Sequence, residues 1–379
     1  MSRFRRITSG TSWIPQVDGL RFVAIFSVLI LHLLLLVRDE GVRLLVFPAS
    51  SHWLTFAIEN GDRGVSLFFV ISGYILARPF LREHRLEGKK ISVGAYYLRR
   101  LTRLEPPFVL SILLYAIAYY AVKRVSFRDL IPHLFASLAY LHVLIYHQSS
   151  TINAVTWSLE IEIQFYLVAP LLGNVYRIEN ATLRRGLILL MMCVAICVSI
   201  FAGGYDHHRT IAGYAQYFLA GFLLADLLEL PRHSVRTHWG WDVITLIGWP
   251  LVFLPRGVAL TSAWLPALFI VLFLAAFYGK ASNWFFRLPF VALTGGMCYS
   301  IYLMHELLFH LAFPRVKHWH VQSDWKTAVL QMSVLLLVGW LGSVLYFVFV
   351  ERPCMDPRWP HKLYWRIRNL FTRNVEAAS

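Results

Sequence analysis

VDGLRFVAIFSVLILHLLLL, Val17 to Leu36, is the stretch on which the reading of this chain turns. It is apolar enough and long enough to cross the roughly 30 Å hydrocarbon core of a bilayer as one helix. Yet it carries Asp18, Arg21 and His32. At 3.6 residues per turn, the eleven steps from Arg21 to His32 make about three full turns, so the two share a face roughly 16 Å apart. Asp18 falls within about 40° of the same stripe. Ile25 and Val28, which lie between them on it, are apolar. A polar side chain at membrane depth is costly unless it faces protein or a wet cavity, so this face is expected to point into a bundle.

The rest of the chain agrees with a membrane protein. Of 379 residues, 58% are hydrophobic and only 15% charged, with a mean hydropathy of +0.56. The predicted fold is all-α: a polytopic transmembrane helix bundle of about ten spanning helices plus a short re-entrant or interfacial helix. The spans are read at 17–37, 64–81, 105–122, 157–175, 186–203, 211–229, 242–255, 262–279, 289–311 and 326–350. The short segment is Ile131 to Tyr146, with His133 and His142. Residues 1–355 form one domain, and 356–379 a basic tail on the inner membrane surface. No cleavable signal peptide is expected in MSRFRRITSG.

The formal charge of +15 does not indicate nucleic acid, because the basic residues lie between apolar runs. With the N-terminus in the cytoplasm, 25 of the 36 Lys and Arg fall inside and 11 outside. This is the asymmetry that the positive-inside rule demands, and even parity puts both termini in the cytoplasm. Cys193, Cys197, Cys298 and Cys354 are scattered, which suggests neither a disulfide framework nor a metal site.

Three further clusters can carry chemistry. YYLRRLTRLEPP places Arg100 and Arg103 one turn apart, with Pro106 and Pro107 expected to start the third span. Two guanidinium forks there suit either topology or a phosphate clamp. TWSLEIEIQFYLVAPLL sets Ser158, Glu162, Phe165 and Tyr166 on one face, with Glu160 about 200° from Glu162. CYSIYLMHELLFHL carries His305 and Glu306. On the ten-span topology Asp18, Arg21, Arg100 and Arg103 lie at the inner mouth, and His32, Glu162 and His305 in the outer half. A basic entry below an imidazole–carboxylate cluster suits a long anionic molecule entering from the cytoplasm.

These elements, in this order, resemble the acyltransferase 3 family of membrane O-acyltransferases. Arg21 and His32 match its first-helix signature, GVSLFFVISGYIL its second helix, and Arg100 to Arg103 its R-x-x-R. WSL to Tyr166 matches its Glu-bearing helix at Glu162, YSIYLMH its penultimate helix ending at His305, and VERP the end of its last. Leu307 stands where proline is common, and Ile163 replaces a frequent second Glu.

The resemblance implies acyl transfer, most often of acetyl, from cytoplasmic acyl-CoA. The acceptor is a hydroxyl of a surface glycan, its lipid-linked precursor or a secreted small molecule. It implies a bacterial cytoplasmic (inner) membrane enzyme with no metal. Catalytic roles fall to His32, Glu162 and His305, and donor binding to Arg21, Arg100, Arg103 and Asp18. His32 then acts as general base or as a covalent acyl carrier. Two competing readings remain. One is a transporter or flippase of an anionic lipid-linked glycan. The other is a membrane acyltransferase of an Asn–His class, in which His305 is central.

Overall fold

The computed structural model describes residues 6–7, 13–39, 58–86, 88–123, 125–201, 209–230, 237–254, 258–319, 321, 324–356 and 359–361. The expectation for the basic tail beyond residue 361 lies outside them. Among the described residues the regular structure is helical throughout, without a strand. Among the described residues, six helices are long and apolar enough to cross a membrane: Pro15–Val37, Arg63–Arg85, Val93–Val122, Ala181–Phe201, Ile211–Glu229 and Lys326–Cys354. A seventh is added if Ala263–Tyr278 and Lys280–Arg287, bent by 85°, are taken as one span. The chain is a multi-pass membrane protein.

In chain order the helices are α1 (Pro15–Asp39), α2 (Arg63–Arg85), α3 (Val93–Ala118), α4 (Phe127–Leu138), α5 (His142–Tyr146), α6 (Trp157–Leu172) and α7 (Ala181–Phe201). There follow α8 (Ile211–Glu229), α9 (Trp239–Val252), α10 (Val258–Tyr278), α11 (Lys280–Arg287), α12 (Pro289–Gly296), α13 (Cys298–Val316) and α14 (Asp324–Tyr346). A π-helical turn, Phe347–Glu351, extends α14.

The bundle is built on close backbone approach, as membrane helices are when small residues face one another. The α2–α8 seam is the clearest case. A Cβ on Gly73 would run into the backbone of Phe218, and one on Gly221 into the Val70 carbonyl. On the other side of α2, α1 is clasped by α12, where a Cβ on Gly295 would overlap the Asp18 carbonyl. Charges at helix ends are paired: buried Asp226 meets Arg184 and Arg185, both at 2.5 Å, and Glu229 ties Arg78 and Arg82. Leaving either carboxylate unpaired at such depth would be strongly unfavourable.

Three boundaries differ from the sequence expectation. Pro106 and Pro107 do not begin a helix; they lie inside α3, so Arg100 and Arg103 belong to the same helix as the span. The prolines free two carbonyls one turn back. One of them, Thr102, is taken by the Trp359 indole at 2.8 Å. The span expected at 289–311 is broken at Met297 into α12 and α13. Glu351 makes the second start possible, since its carboxylate accepts from Ser300 N at 3.1 Å and Ser300 Oγ at 2.5 Å. The segment 131–146 is two short helices joined through Tyr140 at φ 56°, neither long enough to span.

Candidate active site

Helix α1 runs past two cavities, and Arg21 and His32 divide between them. Near its start, buried Asp18 holds Arg21 at 2.5 Å and Arg6 at 3.5 Å, and accepts from the Trp13 indole at 2.8 Å. Asp18 lines neither of these two cavities. It aims the two guanidinium groups that do: Arg6 and Arg21 share a cavity of about 120 Å³ with Arg100, Arg103, Glu162 and Tyr166.

Arg100 reaches that cavity across two rings, 5.8 Å from the Tyr96 centroid and 5.0 Å from that of Tyr166. Cation–π contact keeps a guanidinium in place without consuming its donors. Arg103 Nε and Arg6 Nε are buried with no hydrogen-bond partner among the described residues. A buried, unanswered N–H is costly. Four guanidinium groups with spare donors around one hollow form a site for an anion with several oxygens.

About three turns beyond Arg21 along α1, His32 meets α13. Its Nδ1 is 2.7 Å from His305 Nε2, and the rings stack at 4.9 Å with 17° between planes. His305 Nδ1 lies 2.9 Å from both the Ile301 and the Tyr302 carbonyl oxygens. Carbonyls only accept, so that nitrogen carries the proton, and neutral His305 presents Nε2 as an acceptor. His32 must then donate from Nδ1, which leaves its own Nε2 with a free lone pair. Glu306 Oε1 stands 3.4 Å from the same His32 Nδ1. The assembly is a base whose far nitrogen is fixed by an imidazole and a carboxylate, the arrangement that orients histidine in hydrolytic triads.

His32 opens on a second cavity, of about 450 Å³, with Trp157, Arg209, Tyr214, Tyr217 and Tyr302 in its wall. Arg209 lies 5.6 Å over the Trp157 ring. Aromatic faces beside a cation and a base suit a polyhydroxy acceptor.

The structure thus brings together His32 with His305, and Arg21 with Arg100 and Arg103. Glu162 does not join the histidines. It accepts from Ser72 at 2.5 Å and from the Tyr166 hydroxyl, on the wall of the arginine cavity. The i, i+4 stripe Ser158–Glu162–Tyr166 runs along α6 towards the arginines rather than across to α1. Glu160 is turned away: it accepts from Val143 N at 2.9 Å, at the start of α5. The carboxylate at the imidazole pair is Glu306, which the sequence places in the right segment but not in this role. Arg6 left no signal beyond the basic N-terminus. Among the described residues no group of three or more His, Cys, Asp or Glu side chains stands close enough to hold a metal.

Fold and site define a polytopic membrane protein with a histidine on one helix beside an arginine-lined hollow on the same helix. The chain belongs to the acyltransferase 3 family, whose model, described as an acyltransferase domain, matches residues 14–350. Among curated relatives, the peptidoglycan O-acetyltransferase OatA of Listeria monocytogenes is 25% identical over 376 aligned positions, covering 90% of this chain and 56% of its own length. A Staphylococcus aureus (strain COL) protein, provisionally named an O-acetyltransferase, is 24% identical over 374 positions, covering 90% and 57%. The Bacillus subtilis protein YrhL, provisionally named a peptidoglycan O-acetyltransferase, is 27% identical over 217 positions, covering 53% and 31%. The chain therefore spans a little over half the length of the first two and about a third of the last. No solved structure matches it.

Proposed function

We propose that this chain is an integral membrane O-acyltransferase that moves an acyl group, acetyl in the first instance, from cytoplasmic acyl-CoA to a hydroxyl of a surface glycan or its lipid-linked precursor. The observation that carries the reading is the placement on α1 of Arg21 in a four-arginine cavity and His32 in an imidazole–carboxylate pair. A long donor with phosphates at one end and a thioester at the other matches that separation. The relatives named for O-acetyl transfer, two of them on peptidoglycan, support the acyl group and the glycan class. Nothing in either cavity favours transport without transfer.

In this reading Arg21, Arg100, Arg103 and Arg6 hold the donor's phosphates through charge-assisted bonds. Asp18 positions Arg21 and Arg6, and Glu162 with Tyr166 borders the adjoining end of the donor. The acceptor hydroxyl lies in the larger cavity, against Trp157 and Tyr214. His32 Nε2 takes its proton as the oxygen attacks the thioester carbonyl. The C–S bond then breaks, the ester forms, and the proton passes from His32 to the departing thiolate. His305 fixes the tautomer throughout, and Glu306 stabilises the imidazolium while it exists. A covalent acyl-His32 intermediate would use the same nitrogen and would appear as acyl label on the protein.

The architecture belongs to the same proposal: ten crossings by 1–355, with α6, α9 and the broken α12–α13 pair completing the set. Both termini then lie in the cytoplasm, and the membrane is the bacterial inner one. Purified protein given radiolabelled acetyl-CoA and a cell-envelope glycan extract should release free CoA and label the glycan. Labelled donor left intact, with unmodified glycan carried across vesicles, would replace the reading by transport.

A further inference from the structure

The arginine cavity and the histidine cavity have one lining residue in common, Tyr302. It is buried, and its ring stands edge-on to Phe68 at 6.4 Å. Its hydroxyl is held twice, donating to the Val155 carbonyl and accepting from Ser158 Oγ at 2.6 Å. Both partners lie at the start of α6 and just before it. The Tyr302 carbonyl in turn accepts from His305 Nδ1. So one side chain of α13 borders both hollows, its hydroxyl is bonded at the start of α6, and its own backbone accepts from the imidazole pair.

We propose that Tyr302 is a latched partition that must swing aside for the donor's thioester to reach His32, and that it keeps the two compartments apart otherwise. The inference rests on the reading of the arginine cavity as the donor site. Transfer requires the thioester carbonyl from one cavity to meet the hydroxyl in the other, and the space between them is occupied by the phenol ring. Two hydrogen bonds in an apolar setting hold it shut. A donor's amide and thioester groups offer Ser158 and Tyr302 replacement partners, so occupation of the arginine cavity releases the latch. The partition also explains how a reactive thioester avoids water. With the wall open and no acceptor in place, water would attack the carbonyl carbon, the C–S bond would break, and free carboxylic acid and thiol would result.

Three variants separate the elements. Tyr302→Phe keeps the ring and loses the latch; Ser158→Ala loses half of it; Tyr302→Ala removes the wall. In lipid nanodiscs, the ratio of the hydrolysis rate with acetyl-CoA alone to the transfer rate after acceptor is added should rise roughly two- to tenfold in the two latch variants, the range one hydrogen bond controls. It should rise by at least about tenfold in Tyr302→Ala. A second readout does not depend on catalysis. On a background with the four native cysteines replaced by alanine, Leu31→Cys sits in the histidine cavity. A thiol reagent supplied from the arginine-cavity side should modify it slowly in the parent, faster with desulfo-CoA present, and fastest with Tyr302→Ala. An unchanged labelling rate in Tyr302→Ala, or an unchanged hydrolysis ratio in all folded variants, overturns the partition. Faster labelling with Tyr302→Ala but no response to desulfo-CoA keeps the wall and rejects the acyl-CoA reading instead.

Discussion

The two cavities along α1 solve opposite electrostatic problems. The arginine cavity holds four guanidinium groups against few carboxylates: Asp18 serves two of them, Glu351 is committed to Ser300, and Glu162 to Ser72 and Tyr166. Aromatic faces and one shared aspartate offset part of the charge, and it retains unanswered donors among the described residues. The histidine pair is closed. Every nitrogen but one is engaged, and a carboxylate stands ready for the charged form. On the function proposed here, the difference is that between binding and chemistry. A binding site keeps donors vacant for the ligand, whereas a reaction centre fixes everything except the reacting atom.

This contrast can be tested by substitution. His32→Ala should lower kcat by about 10²–10⁴-fold, the usual contribution of a general base, while the donor KM stays near that of the parent. Steady-state kinetics on detergent-purified protein decide it, and retention of more than about a tenth of the turnover would remove His32 as base. Arg100→Ala and Arg103→Ala should do the reverse, raising the donor KM about tenfold or more with kcat at saturation little changed, since each charge-assisted bond contributes roughly 1.5–3 kcal/mol. If the donor KM is unaltered in both, these arginines serve topology alone.

Glu306→Gln should slow the saturated reaction by a smaller factor, roughly several-fold, because the amide cannot offset the imidazolium charge at 3.4 Å. Glu162→Gln should leave kcat closer to the parent and act on the donor KM. The reverse pattern for the two glutamates would exchange their assignments. Sidedness should change no rate at all. Single cysteines in Arg82–Lys90 are expected to be protected from an impermeant thiol reagent on intact spheroplasts, and those in Pro314–Trp325 to react. The opposite labelling would invert the direction of delivery.

The helix class, the membrane setting, the Arg21–His32 stripe and the Arg100–Arg103 pair were all legible before any coordinates. Each depends on local spacing or on hydropathy over one turn or one span, and a helix fixes both within a single segment. What tertiary structure decided was partnership. His32 and His305 lie 273 positions apart, and nothing in the local pattern says whether Glu162 or Glu306 completes the pair. Pro106 and Pro107 read as a helix start because the freed carbonyls have no local donor; Trp359, far along the chain, supplies one to Thr102. The place of Tyr302 on the border of two hollows is legible in no single segment. It exists because α1, α6 and α13 converge there, and convergence is a property of packing, which neighbouring residues in sequence do not encode.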